Sequence, residues 1–197
     1  MRRLIAALVL AGALTSCATA PAPSRASPQL RLAPASLGLT LALQQHLTLQ
    51  APGHDQQLDV LLEADARHVR VAVVAMGQVA ARLDWDGRTL AEDKAPWWPP
   101  EVSGSRILSD LQLTLWPVAA IQAALPAGWA IAEDGDVRTL TQDGEVVTVV
   151  TRLCAPAPPS CAQSQDPRRG STLIELDQRR EHFKLKIESR DLGAGAS

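Results

Sequence analysis

The sequence predicts a mainly β fold with a helical lid (α+β): a curved antiparallel sheet forming an incomplete β-barrel over two short helices. Three observations lead there. Segment after segment alternates apolar and polar residues with the period of two that a half-buried strand requires. One proline-studded interruption near the middle is followed by two short stretches with helical spacing. The nine or ten half-apolar strands have too few helices to cover them, and a sheet wrapped round its own helices answers that imbalance.

The chain starts with Arg2 and Arg3, an apolar run over residues 4–14, and then Thr15, Ser16 and Cys17. Such a run is too short to span a bilayer, which takes about 20 residues, and reads as a secretory signal peptide, 1–16. A cysteine directly after the small residues makes the segment resemble the lipobox, in which Cys17 is acylated and becomes the mature N-terminus. The alternatives are an ordinary signal peptide with an incidental cysteine, or a short membrane anchor. Acylation implies a membrane lipid as first partner, since each buried CH₂ contributes about 0.8 kcal/mol. Ala18 in place of aspartate after Cys17 favours, by resemblance to enterobacterial sorting, the periplasmic face of the outer membrane. Residues 17–36 are rich in Pro, Ala and Ser and read as a tether.

The domain, 37–191, opens with alternation. Leu39, Leu41, Leu43, Leu47 and Leu49 share one face, and Leu58, Val60 and Leu62 repeat it. Val69, Val71 and Val73 follow, then Val79, Ala81, Leu83 and Trp85, with breaks at Pro52-Gly53, Asp65-Ala66, Met76-Gly77 and Asp86-Gly87 that suit hairpins. The prolines around Trp97 and Trp98 exclude a central strand. Ser103 or Ser105 can cap a helix carrying Ile107, Leu108, Leu111 and Leu115, which Pro117 ends or kinks. Pro117 then opens a second short helix with Val118, Ile121 and Leu125. Strands resume over 128–132, 137–141, 146–153, 172–177 and 182–189, and 192–197 is a small-residue tail.

Cys154 and Cys161 bracket a proline-rich loop. In an oxidising compartment they suit a disulfide worth about 2.5 kcal/mol on the chain-entropy model; two free thiols are the alternative. The 4 histidines lack metal-site spacing and read as exposed strand residues. G-x-S-x-G, P-loop and G-x-G-x-x-G patterns are missing from the chain, so the expectation is a non-enzyme with no cofactor and no metal. A formal charge of −2 without a clustered basic face excludes nucleic acid as a partner.

The stretch ILSDLQLTLWP (107–117), followed by LPAGW (125–129) and then Val137-Arg138, resembles a family of proteobacterial lipoproteins often encoded beside aryl-polyene pigment synthesis genes. Those proteins are similar to the lipoprotein-localisation carriers LolA and LolB, which are incomplete β-barrels closed by helices over a hydrophobic cavity. The resemblance implies binding of a lipid-like or acyl/polyene chain, or an acylated protein, and its transfer at the membrane. The alternative is a non-catalytic accessory lipoprotein that scaffolds an envelope biosynthesis or export complex. On the carrier reading Leu41, Leu43, Val60, Leu62, Val71, Val73, Leu83 and Phe183 line a common concave face. Leu111 and Leu115 lie opposite, across an apolar space of a few hundred Å³. Trp97 and Trp98 are the candidates for contact with the membrane or the mouth.

Overall fold

Alternation becomes strands almost wherever the sequence shows it. In the computed structural model of the chain, residues 27–100, 102–154 and 172–193 are described, the side chains of His54 and Cys154 excepted. The strands are β1 (Leu41–Ala51), β2 (His54–Ala64), β3 (Val69–Ala75), β4 (Gln78–Trp85), β5 (Leu90–Lys94), β6 (Trp129–Asp134), β7 (Val137–Gln142), β8 (Glu145–Cys154), β9 (Thr172–Gln178) and β10 (Phe183–Asp191). Helices α1 (Gly104–Leu115) and α2 (Val118–Ala124) separate β5 from β6. One 10-stranded sheet holds them all in the order β5-β4-β3-β2-β1-β10-β9-β8-β7-β6, and every pairing is antiparallel. Two meanders are thus welded where β1 meets β10, and β5 and β6 are left as unjoined edges.

Helix α1 crosses the inner face of this open barrel. Its N-terminus meets β4 and β5, where Gly104 N donates to Glu92 Oε2 at 2.9 Å. Near its start the Arg106 guanidinium lies 5.4 Å over the Phe183 ring of β10, and at its far end Arg138 of β7 reaches the carbonyls of Leu113 and Trp116. Contacts with both flanks and the middle of the sheet mean that the sheet wraps the helix. Leu108 and Leu113 join the strand residues in one apolar core. Ser103 supplies the N-cap, its Oγ accepting from Arg106 N at 3.2 Å, and the Pro117 break separates α1 from α2 as the sequence implies.

Three expectations change. Residues 28–36, read as tether, are packed into the domain: Leu30, Leu32 and Leu37 are buried, and a one-turn 3-10 helix, Pro34–Leu37, precedes β1. A register shift between Val73 and Val74 puts Ala80 and Ala81 both inside and turns Val79 out to 38 % exposure; the extra residue of a β-bulge reverses the face of what precedes it. Segment 90–94, whose composition LAEDK shows no apolar alternation, forms the edge strand β5, held by its ladder to β4.

Gly104 marks the closest approach of lid to sheet. A Cβ there would stand 2.5 Å from Leu83 Cδ2 and 2.8 Å from Glu92 Cδ. Leu83 is buried, and Glu92 is held by Gly104 N and by Lys94 at 3.1 Å, so neither can retreat freely. Gly104→Ala is expected to lower stability by about 1–3 kcal/mol despite the better helix former, read as a fall in the urea midpoint at unchanged m-value.

Candidate functional site

Seven of the candidate lining residues meet on the inner face. Leu41, Leu43, Val60, Leu62, Val71, Val73 and Leu83 are buried in one cluster, brought together because they are successive inward positions on β1 to β4. Phe183 shares that face of β10 but is half-buried, as are Leu111 and Leu115 on α1. The helix packs Leu111 and Leu115 against that cluster, partly buried. Its most buried side chains are Leu108, Ser109, Gln112, Leu113 and Thr114, because Ser109 and Gln112 hold residues 28–33, a strap that the sequence assigns to the tether. Two cavities open on the outer face of the sheet: one of ≈ 500 Å³ with Leu61, Ala72 and Ala91 among its lining, one of ≈ 400 Å³ by His46 and Asp59.

The strap runs along α1. Ser109 Oγ accepts from Leu30 N at 3.0 Å and donates to Pro28 O at 3.0 Å. Gln112 Oε1 accepts from Leu32 N at 2.9 Å, and its Nε2 donates to Leu32 O at 3.0 Å. Trp85 Nε1 donates to the same Leu32 O at 2.8 Å, and Trp116 Nε1 to Ser36 Oγ at 3.1 Å. Buried polar groups require partners, and here the strap's peptide groups and the helix's polar side chains satisfy one another. Nothing in the period of α1 announces this, because the partner lies about 80 residues away in a segment with too little apolar pattern to read.

At the strap's start Ser27 Oγ meets the Gln178 amide at 3.1 Å, in the orientation in which that amide's oxygen also accepts from Arg106. Arg106 pairs with Asp110 at 2.7 Å and with Glu181. Antiparallel order puts the β9–β10 turn at the same end of the barrel as the β3–β4 turn and the loop after β5. At that end Met76 and Trp97 are 82 % and 42 % exposed. The tryptophan pair divides: Trp97 faces solvent, whereas Trp98 is buried, its Nε1 donating to Val102 O at 3.0 Å, so Trp98 is a core residue and only Trp97 is placed for external contact.

Burial pushes the Asp110 carboxyl up from 3.8 to about 6, against the pull of Arg106. Below its ordinary value the group is protonated in both states, and through the window between 3.8 and about 6 the folded chain holds more protons than the unfolded. The contribution of Asp110 to stability is therefore fully present below 3.8, falls as pH rises through that window and is flat above it. Asp110→Asn is expected to flatten the pH dependence of the urea midpoint in this window; an identical slope in variant and wild type contradicts it.

Cys17 and Cys161, together with the Cys154 side chain, lie outside the described residues. Of the histidines, His46 and His68 sit on the outer face and pair with Asp59 and Asp84 at 2.9 and 2.7 Å. A family model described as "Protein of unknown function (DUF3261)" matches residues 42–191, from the second residue of β1 to the last of β10. No curated protein matches the chain.

Proposed function

We propose, from the premise that this chain belongs to the DUF3261 family, that it is a lipid-anchored protein of the outer membrane's periplasmic face. It takes a lipid-like, acyl or polyene chain into its apolar interior and passes it to or from the membrane. The observation that carries the reading is the seam between β5 and β6. These edges are bridged by α1 and α2 and not by a strand ladder, so the lid can lift from an apolar wall without breaking a strand pairing. The arrangement with Leu30 and Leu32 in the core cluster is then the closed state. The same plan, an incomplete barrel closed by helices, is that of LolA and LolB. The run at 107–117 adds the resemblance to lipoproteins encoded beside aryl-polyene genes.

The anchor fits this reading. Ser27 leaves the domain at the end where Met76 and Trp97 are exposed, and the intervening chain back to an acylated Cys17 reaches at most about 35 Å. That end then faces the bilayer, with the indole of Trp97 suited to its interface. A second reading, an accessory scaffold, is favoured by the ≈ 500 Å³ outer groove, whose apolar floor is rimmed by Glu63, Arg70, Arg82 and Asp93. Titration with a fluorescent fatty acid separates the two. A 16-carbon chain would gain about 12 kcal/mol gross, less several for lost freedom, so uptake predicts saturable micromolar binding; no saturable signal leaves the scaffold.

A further inference from the structure

We propose that the track occupied by residues 28–33 is itself the ligand site, filled in cis by the strap, and that the ligand it favours is an acyl chain amide-linked to an amino acid. The proposal rests on the uptake reading above and names its site and substrate class. The strap has the pattern of a strand, with Leu30 and Leu32 turned in at 4 % and 6 % exposure and Gln29, Arg31 and Ala33 turned out. Yet no strand among the described residues pairs with it. Its peptide groups are held by side chains: Ser109, Gln112 and Trp85. A segment so held leaves without dismantling the sheet, and it vacates two apolar seats in the core cluster.

What remains when it leaves defines the ligand. Gln112, fully buried, offers Oε1 to an N–H and Nε2 to a carbonyl flanking one tetrahedral carbon, as it does for Leu32. Trp85 Nε1 adds a second donor for that carbonyl. An N-acyl amino acid whose carbonyl continues as an amide presents the same N–H and C=O, with its acyl chain free to take the apolar seats. An ester in place of the N–H turns an acceptor toward Gln112 Oε1 and leaves that buried oxygen unpaired. The strap lies directly after the tether, so an occupied site releases the segment that ties the domain to its anchor.

The test uses NBD-labelled N-dodecanoyl-alanine methylamide and its analogue in which an ester oxygen replaces the N–H, each titrated into the purified mature protein. The amide is expected to bind at least about tenfold more tightly than the ester. In Leu30→Ser/Leu32→Ser, where the cis occupant is weakened, its apparent affinity should rise about tenfold, opposite in sign to general damage. Hydrogen exchange on the unvaried protein reads the same event should the variant not fold. Saturating amide probe should strip protection from the Leu30 and Leu32 amides and leave those of β1 and β2 unchanged. Equal binding of both probes, or strap amides that stay protected, overturns cis occupancy while uptake stands. Failure of both probes to bind either protein overturns the uptake reading and this one with it.

Discussion

Arg138→Met is expected to cost about 2–6 kcal/mol of folding stability, about 1–3 for each of the two carbonyls it leaves without a partner. Arg138 is 3 % exposed on β7, and its guanidinium ends the lid. Nη1 donates to Leu113 O at 2.6 Å and to Trp116 O at 2.9 Å, while Nε donates to Glu133 Oε2 at 2.8 Å. The last carbonyls of a helix have no partner within it, and the helix dipole concentrates negative charge there. One planar fork satisfies both carbonyls and the carboxylate together. Desolvation pushes the Arg138 pKa down, but a guanidinium stays charged, so removing it strands two carbonyls and leaves Glu133 with Arg152 at 3.0 Å. Arg152 is far more exposed, and Arg152→Ala is expected to cost under about 1 kcal/mol. Urea denaturation checks both; similar losses in the two variants would contradict the capping role.

Trp116→Ala is expected to cost a further about 3–5 kcal/mol, the range for deleting a fully buried indole. Trp116 is 0 % exposed and follows α1 directly. It packs the core and ties the strap's end to the helix through Ser36. Truncation opens a cavity at the junction of lid, strap and sheet and removes the indole N–H that Ser36 Oγ accepts. Trp97→Ala serves as the contrast, since an exposed surface substitution stays within about 0.5 kcal/mol. Losses of equal size would mean that Trp97 packs as Trp116 does.

How far the sequence could be read depends on whether a residue's partner is local. Strands β1 to β3 and β10 were legible because each buries one face, and β10 alternates Phe183, Leu185 and Ile187 against Lys184, Lys186 and Glu188. The edge strand β5 was not, since LAEDK is exposed along most of its length and is fixed by pairing and not by burial. Val79 misled because one bulge residue reverses a face, and that residue's presence is decided by the neighbouring strand. Alternation places Leu41, Leu43, Val60, Leu62, Val71, Val73 and Leu83 on one face, and they meet in one buried cluster. The share of that cluster supplied by Leu30 and Leu32 was not legible, because they come from a Pro/Ala/Ser segment that gives no sign of being core. Nothing in the helical period marks Gln112 and Ser109 as buried, for the same reason: their partner is the strap.

The central claim, uptake of a lipid-like chain beneath the lid, is tested most directly by native mass spectrometry of the mature protein released gently from the membrane. The account predicts a one-to-one adduct of lipid mass, separate from the covalent anchor, that is lost on collisional activation. Protein that flies only at its covalent mass, in repeated preparations and after incubation with acyl lipid, would contradict it.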